Sequence, residues 1–357
     1  MAPPVQPIVI WFGRVGDMIL VSALLELLHR RYGGRCHLIG AGAWPAELYA
    51  SHSDVARVTC LHRYTAFLFD AGWWRALAAL RASRRDPVYV CEYDPRKVRR
   101  IERLLRASGT DPRRCLFITR TGCLQSAPHW IDRLVCFGRL TPPAFDAADV
   151  RGPAPACAPH LEVAAAARED CAAWIEAQGL NGRPLVLVQP GNRRTMRGRN
   201  LRIASEDDKA WPIERWAALL HRVHAQLPQA AIVLCGAPRE SLLLTWIAEA
   251  TQLSAVVAAE LSLPRLLALC ERAHSMISVD TGPAHAAAAL SLPLVVMFGA
   301  HSQLEWLPRS PSGSAVVGVG GPPQSSRLDQ IAVDTVFDAW RALQGRVSPT
   351  TVPATAP

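Results

Sequence analysis

Between Met276 and Gly299 the chain reads M-I-S-V-D-T-G-P-A-H-A-A-A-A-L-S-L-P-L-V-V-M-F-G. Two short apolar runs, Met276 to Val279 and Leu294 to Phe298, flank an alanine-rich segment, Ala284 to Leu290, whose composition favours helix. The pattern predicts a strand, a helix and a second strand, and strands joined by one crossover helix lie parallel in a single sheet. No other stretch constrains the fold as much. The turn leaving the first strand is Asp280-Thr281-Gly282-Pro283. Pro283 suits the first helical turn, where its missing N–H costs nothing, and Gly282 allows close approach to the backbone. Free N–H groups and the positive end of the helix dipole then face the carboxyl edge of the sheet, where open α/β folds bind phosphates. Asp280, at the strand end, and His285, on the first turn of the helix, are placed to add side-chain contacts. Helix capping alone would also favour Asp, Thr and Gly here, so both readings stay open.

The same alternation runs through the chain. Ile8 to Phe12 reads as a buried parallel strand, followed by Gly13-Arg14-Val15-Gly16-Asp17 and an amphipathic helix, Met18 to Arg31, stopped by Gly33-Gly34. Cys36 to Ile39 is the next strand. The lone G-x-x-G lacks the third glycine and the distal acid of a dinucleotide fingerprint, which argues against an NAD site. Helices Trp74 to Arg84 and Lys97 to Ala107 alternate with strands Val88 to Cys91 and Cys115 to Ile118. Arg151 to Pro159 is rich in Pro and Ala and reads as a linker between domains. Beyond it come helix Val163 to Gln178, strand Leu185 to Val188 with the turn Gln189-Pro190-Gly191, and helix Ile213 to Gln226. Strand Ala231 to Cys235 and helices Ser241 to Ala250 and Leu263 to Arg272 follow. After Gly299 the pattern weakens until a last helix, Gln330 to Leu343. The expected domains are 1–158 and 159–328, then a helix over 329–344 and a disordered tail over 345–357.

The formal charge of +9 is almost wholly arginine, since Lys97 and Lys209 are the only lysines. Arg193, Arg194, Arg197, Arg199 and Arg202 fall within ten residues and predict a long, exposed basic loop that is either solvated or in contact with an anion. Its lack of interleaved aromatics argues against nucleic acid. The ten cysteines contain no C-x-x-C pair and no zinc spacing, and are expected to be reduced and buried. No run of about 18 apolar residues occurs, and the start M-A-P-P-V-Q-P has no signal-peptide pattern. The expectation is a soluble, cytoplasmic protein.

Three motifs, I-V-I-W-F-G-R-V-G-D, D-D-K-A-W-P-I-E-R-W and S-V-D-T-G-P-A-H, stand in this order along the chain. Together they resemble glycosyltransferase family 9, the ADP-heptose:lipopolysaccharide heptosyltransferases. The resemblance covers most of residues 8 to 343 and implies the glycosyltransferase-B architecture, two Rossmann-like α/β domains facing each other across a cleft. It implies an inverting transfer of heptose or a related sugar from a nucleotide-diphospho-sugar to a lipopolysaccharide core-type acceptor. No cofactor or metal is expected, since no Asp-x-Asp pair is present. By position, Asp17 takes the place of the family's catalytic base, and Lys209 that of its phosphate- and sugar-contacting lysine. Asp280, Thr281, Gly282 and His285 fall on the donor-binding segment, with Gly191 and Glu240 added on the nucleotide side. Arg14, Arg193, Arg194 and Arg197 are candidates for acceptor or anion contact, at an anionic glycolipid or the cytoplasmic face of the inner membrane. The chain departs from the family in Ala300-His301, where Pro-Thr is usual, in the arginine insertion, and in Pro238, which leaves Glu240 to meet the ribose. Asp17 has a rival reading as the cap of the first helix. A nucleotide-sugar epimerase of the same fold and a nucleic-acid-binding protein are the competing functions.

Overall fold

Strands apolar at every position need both faces covered, which a parallel sheet between helices provides. The computed structural model describes residues 5–62, 69–146, 157–202 and 207–344. Its first sheet is built from Ile8–Ile10 (β1), Cys36–Ala41 (β2), Val55–Leu61 (β3), Val88–Val90 (β4) and Cys115–Phe117 (β5), in the order β3-β2-β1-β4-β5. Every pairing is parallel. The helices of this unit are Val15–Leu20 (α1), Ser22–Tyr32 (α2), Trp44–Tyr49 (α3), Ala71–Ala82 (α4), Pro95–Ser108 (α5) and Trp130–Arg139 (α6). One core joins Ile8, Ile10, Ile39, Val88 and Val90 of the sheet to Trp73 and Leu77 of α4 and Ile101 and Leu104 of α5.

The second sheet contains Leu185–Gln189 (β6), Ala231–Cys235 (β9), Val256–Ala258 (β10), Ser275–Val279 (β11), Leu294–Phe298 (β12) and Val316–Gly320 (β13). Its order is β10-β9-β6-β11-β12-β13, again parallel throughout. Between β6 and β9 lie the small antiparallel strands Met196–Arg197 (β7) and Asn200–Leu201 (β8). The helices are Ala165–Ala177 (α7), Ile213–Gln226 (α8), Ser241–Thr251 (α9), Leu263–Arg272 (α10), Gly282–Ala289 (α11), Gln303–Trp306 (α12) and Val333–Gln344 (α13). A second core joins β6, β9, β11 and β12 to Trp216 and Leu220 of α8 and Trp340 of α13.

The chain divides at Ala165 and Ala166 into two units, a few residues beyond the expected boundary at 158. The reason is local. The His160 N–H donates to Ser22 Oγ at 3.0 Å, and the Glu162 carboxylate accepts from the Ser53 N–H at 3.2 Å, so this segment packs with the first unit. Most of the expected linker, 151–156, and the expected disordered tail, 345–357, lie outside the described residues.

Several elements differ from the sequence reading. The helix expected from Met18 to Arg31 starts earlier and is interrupted at Val21, giving α1 and α2. Strands β3, β10 and β13 were not anticipated. β13 reads V-V-G-V-G, a poor strand by composition, yet it pairs with β12 along its whole length. The basic segment is a hairpin rather than a loop, with Gly198 at φ 61 as the first of two turn residues, the place such a turn reserves for glycine. Residues 203–206 of that segment lie outside the described residues. Cys157 is exposed, against the expectation of buried thiols, whereas Cys36, Cys91, Cys123, Cys171, Cys235 and Cys270 are buried.

Candidate active site

In the second unit the crossovers run outward in opposite directions from the neighbouring strands β6 and β11. Ser278 and Gln189 are paired at their carboxyl ends, so the turns Gln189-Pro190-Gly191 and Asp280-Thr281-Gly282 adjoin there. Such a switch point is where open α/β sheets hold ligands. Thr281 is the N-cap of α11, and Pro283 occupies its first turn. The N–H groups of Thr281 and Gly282 have no hydrogen-bond partner among the described residues, and both residues are half-buried. His285 lies buried on the first turn.

Asp280 is 6% exposed, and Lys209 8%. Lys209 Nζ donates to Asp280 Oδ2 and to its carbonyl oxygen, each at 2.6 Å. His301 Nδ1 lies 2.8 Å from the same Oδ2. Burial alone would raise the Asp280 carboxyl pKa, but the His301 hydrogen bond and the Lys209 and His285 charges hold it well below the usual carboxylate range. The carboxylate is therefore a fixed anion that aims two cationic or donor groups.

Lys209 is delivered by a tied-down loop. The Asp207 carboxylate accepts from Asn192 Nδ2 at 2.9 Å and Thr195 Oγ1 at 3.1 Å, fastening the loop to the base of the β7–β8 hairpin. The Asp208 carboxylate accepts from the Ala300 N–H at 2.9 Å and from Arg194 at 2.8 Å. A Cβ on Gly299 would lie 2.5 Å from the Asp208 carbonyl oxygen, so glycine is needed at the end of β12. Across the switch point, a Cβ on Gly191 would lie 2.7 Å from Glu240 Oε1. Glu240 Oε2 accepts from the Ala237 N–H at 2.7 Å, while the buried Oε1 has no hydrogen-bond partner among the described residues. Burial pushes this carboxyl up.

In the first unit the equivalent switch point lies between β1 and β4. Asp17, half-buried in α1, accepts from the Arg14 N–H at 2.7 Å. The capping contact foreseen for it is therefore present. A Cβ on Gly13 would collide with Asp17 Cβ. On the neighbouring strand end, the fully buried Glu92 accepts from the Phe12 N–H at 3.2 Å and from the Tyr93 and Asp94 N–H groups at 3.1 Å.

The structure thus brings together Lys209 with Asp280, and Gly191 with Glu240. Asp17 and Arg14 belong to the other unit and are described with it. Arg193, Arg194 and Arg197 are exposed on the hairpin, and Arg194 is engaged by Asp208. Sequence reasoning missed His301, Asp208 and Glu92 as parts of these sites. Ala300-His301 stood out only as a departure from the family pattern. Glu92 directly follows an apolar strand, and that position was its one available signal.

Residues 154–330, about half of the chain, match the family model of glycosyltransferase family 9 (heptosyltransferase). Lipopolysaccharide heptosyltransferase 3 of Escherichia coli is 30% identical over 132 residues, 36% of this chain and 35% of that protein. The match therefore spans about a third of the curated relative's length. Among solved structures, a family 9 glycosyltransferase from Veillonella parvula DSM 2008 superposes with a TM-score of 0.77 at 15% identity, covering 96% of this chain and 98% of that one. The Escherichia coli ADP-heptose lps heptosyltransferase II gives a TM-score of 0.70 at 18% identity, covering 96% of this chain and all of that one. At these identities the likeness is one of fold, and it is the expected fold class, two Rossmann-like α/β domains with parallel sheets. By the match over 154–330, the chain belongs to glycosyltransferase family 9, the heptosyltransferase family.

Proposed function

We propose that this chain is an inverting heptosyltransferase that moves heptose from ADP-heptose to a lipopolysaccharide core-type acceptor. The observation that carries the proposal is the second unit's switch point. N–H groups of Thr281 and Gly282 without a partner among the described residues stand there beside a buried Lys209–Asp280 pair. An ammonium has three N–H donors, and two of those on Lys209 go to Asp280. The third is left for the donor's diphosphate, whose charge grows as the glycosidic bond breaks. Glu240 Oε1, buried next to Gly191 without a partner among the described residues, suits a ribose hydroxyl, and His285 supports the same segment. The relative-in-fold named for ADP-heptose supports the choice of donor. Asp17 takes the proton from the acceptor hydroxyl as that oxygen attacks the anomeric carbon from the face opposite the leaving diphosphate. Arg14, Arg193 and Arg197 meet the anionic glycolipid, Arg194 being held by Asp208, and no metal or other cofactor takes part. The acceptor is reached at the cytoplasmic face of the inner membrane. No described helix is long and apolar enough to cross a membrane.

The test is nucleotide release from a panel of nucleotide-sugars, with and without acceptor lipid, for the parent and Asp17→Asn. ADP release from ADP-heptose that requires acceptor, and falls roughly 10²- to 10⁴-fold in the variant, is the expected result. A variant that binds donor and transfers at the parental rate would leave Asp17 a helix cap.

A further inference from the structure

Three side chains of the first unit converge outside the site described above. His52 lies in the turn after α3, Asp54 immediately before β3, and His160 in the segment that packs back onto this unit. One ligand-capable atom from each lies within 4.8 Å of the others. Asp54 Oδ2 is 3.1 Å from His160 Nε2 and 3.9 Å from His52 Nδ1. A tetrahedral zinc ion with bonds of about 2.0–2.1 Å sets its ligand atoms roughly 3.3 Å apart, so the Asp54–His160 pair already has that spacing and His52 would have to move inward to join it.

Asp54 is 6% exposed, and its Oδ2 pairs with His160 Nε2 alone among the described side chains at hydrogen-bond distance. Both groups also lie within reach of His52 Nδ1, so the three ligand-capable atoms share one small volume. A buried carboxylate needs compensating charge, which the imidazoles supply here in part and a metal cation held between them would complete.

The opposite side of each group is already held. Asp54 Oδ1 lies 2.7 Å from His29 Nδ1, His52 Nε2 lies 3.3 Å from the His160 carbonyl oxygen, and His160 Nδ1 lies 3.8 Å from Glu26 Oε2. Carboxylates and carbonyls placed behind ligating imidazoles orient the rings and raise their basicity. Besides the Asp54–His160 pair itself, the Asp54 N–H competes, donating to His52 Nδ1 at 3.2 Å, the long end of the normal range. A metal ion at Nδ1 would replace it.

We propose that His52, Asp54 and His160 form a zinc-type metal site that fixes the segment around His160 to the first unit. Two imidazole nitrogens and one carboxylate oxygen suit zinc better than magnesium or calcium, which favour all-oxygen sets. The His160 side chain is one-quarter exposed, so an ion can enter from that side and a water can fill the fourth position. Nothing in the spacing of residues 52, 54 and 160 marks the set in the sequence.

The experiment uses the full-length chain stripped with a chelator, with Zn²⁺ as the titrant, followed by calorimetry and thermal unfolding. The parent should bind one equivalent and unfold at a higher temperature with Zn²⁺ but not with Mg²⁺. Co²⁺ in its place should give the visible absorption of a tetrahedral complex. Asp54→Asn and His160→Gln each keep shape and hydrogen-bonding ability, and should weaken Zn²⁺ binding by about 10-fold or more. Circular dichroism confirms that each variant is folded. Failure of the parent to bind Zn²⁺, or equal binding by parent and folded variants through other histidines and cysteines, would overturn the proposal and leave a hydrogen-bonded His–Asp cluster. Neither result bears on sugar transfer.

Discussion

Lys209 has given up water for one carboxylate oxygen and one carbonyl of Asp280. Well-packed apolar residues in place of a buried ion pair often leave stability unchanged or improved, while removing one partner costs about 3–5 kcal/mol. Stability therefore does not explain the pair, whereas the proposed contact of the third N–H with a diphosphate would. Lys209→Ala should weaken ADP binding by about 10- to 100-fold, the worth of a charge-assisted hydrogen bond of about 1.5–3 kcal/mol. His301 still partners the carboxylate in that variant, which limits the damage to folding. Calorimetric titration with ADP decides it, and unchanged affinity would defeat the assignment. A second residue gives a pH signature. His37, on β2, is 1% exposed, and burial followed by the Arg57 charge pushes its pKa down to about 4. Between about pH 6.5 and pH 4 the unfolded chain takes up a proton that the folded chain refuses, so stability falls as pH falls through this window. The loss should approach about 3 kcal/mol at the acid end. His37→Asn should remove that part of the slope in denaturant titrations at a series of pH values. Both members of the Lys209–Asp280 pair were legible in the sequence as motif residues, but their contact was not. It depends on a loop 71 residues away in the chain being tied to the end of β12.

The arginine segment shows how an element differs from its composition. Its charge pattern reads as an exposed loop, solvated or in contact with an anion, yet Thr195 and Met196 are buried, and Asp207 and Asp208 draw its base toward Lys209. Arg194 is committed to Asp208, whereas Arg193 and Arg197 are exposed with no ion pair among the described residues. These two are the ones to test for anion contact. Arg193→Ala with Arg197→Ala should lower sedimentation with anionic vesicles at low salt and leave ADP affinity unchanged, because exposed charges act through a screened field. Equal vesicle binding by parent and double variant would return the hairpin to plain solvation. Strands with continuous apolar runs, such as β6, β11 and β12, were readable because burial on both faces writes itself into every position. β13 was not, since two of its five residues are glycines and only its pairing with β12 makes it a strand. The interruption at Val21 was equally hidden, because the apolar spacing continues across it.

At the scale of the whole chain, two parallel sheets each carry a switch point, and each has its own core. That much followed from counting glycine turns after apolar strands. The boundary did not, because it depends on His160 and Glu162 finding partners near residues 22 and 53. Amide exchange should mirror the layering. β1 and β4 in one sheet, and β6, β11 and β12 in the other, are buried throughout and should exchange slowest, with β10 and β13 markedly faster. Mass-spectrometric exchange that showed β10 as protected as β11 would contradict this. The outermost strands have one more consequence, which concerns crowded solutions. β5 and β10 are three residues long, β13 ends in a glycine at φ 73, and β3, the longest, carries an exposed arginine at Arg57. Short, kinked or charged margins give a second molecule few backbone groups on which to add a strand. At high concentration the folded protein should therefore resist growth into fibres, and the risk of aggregation should rest with its unfolded chains.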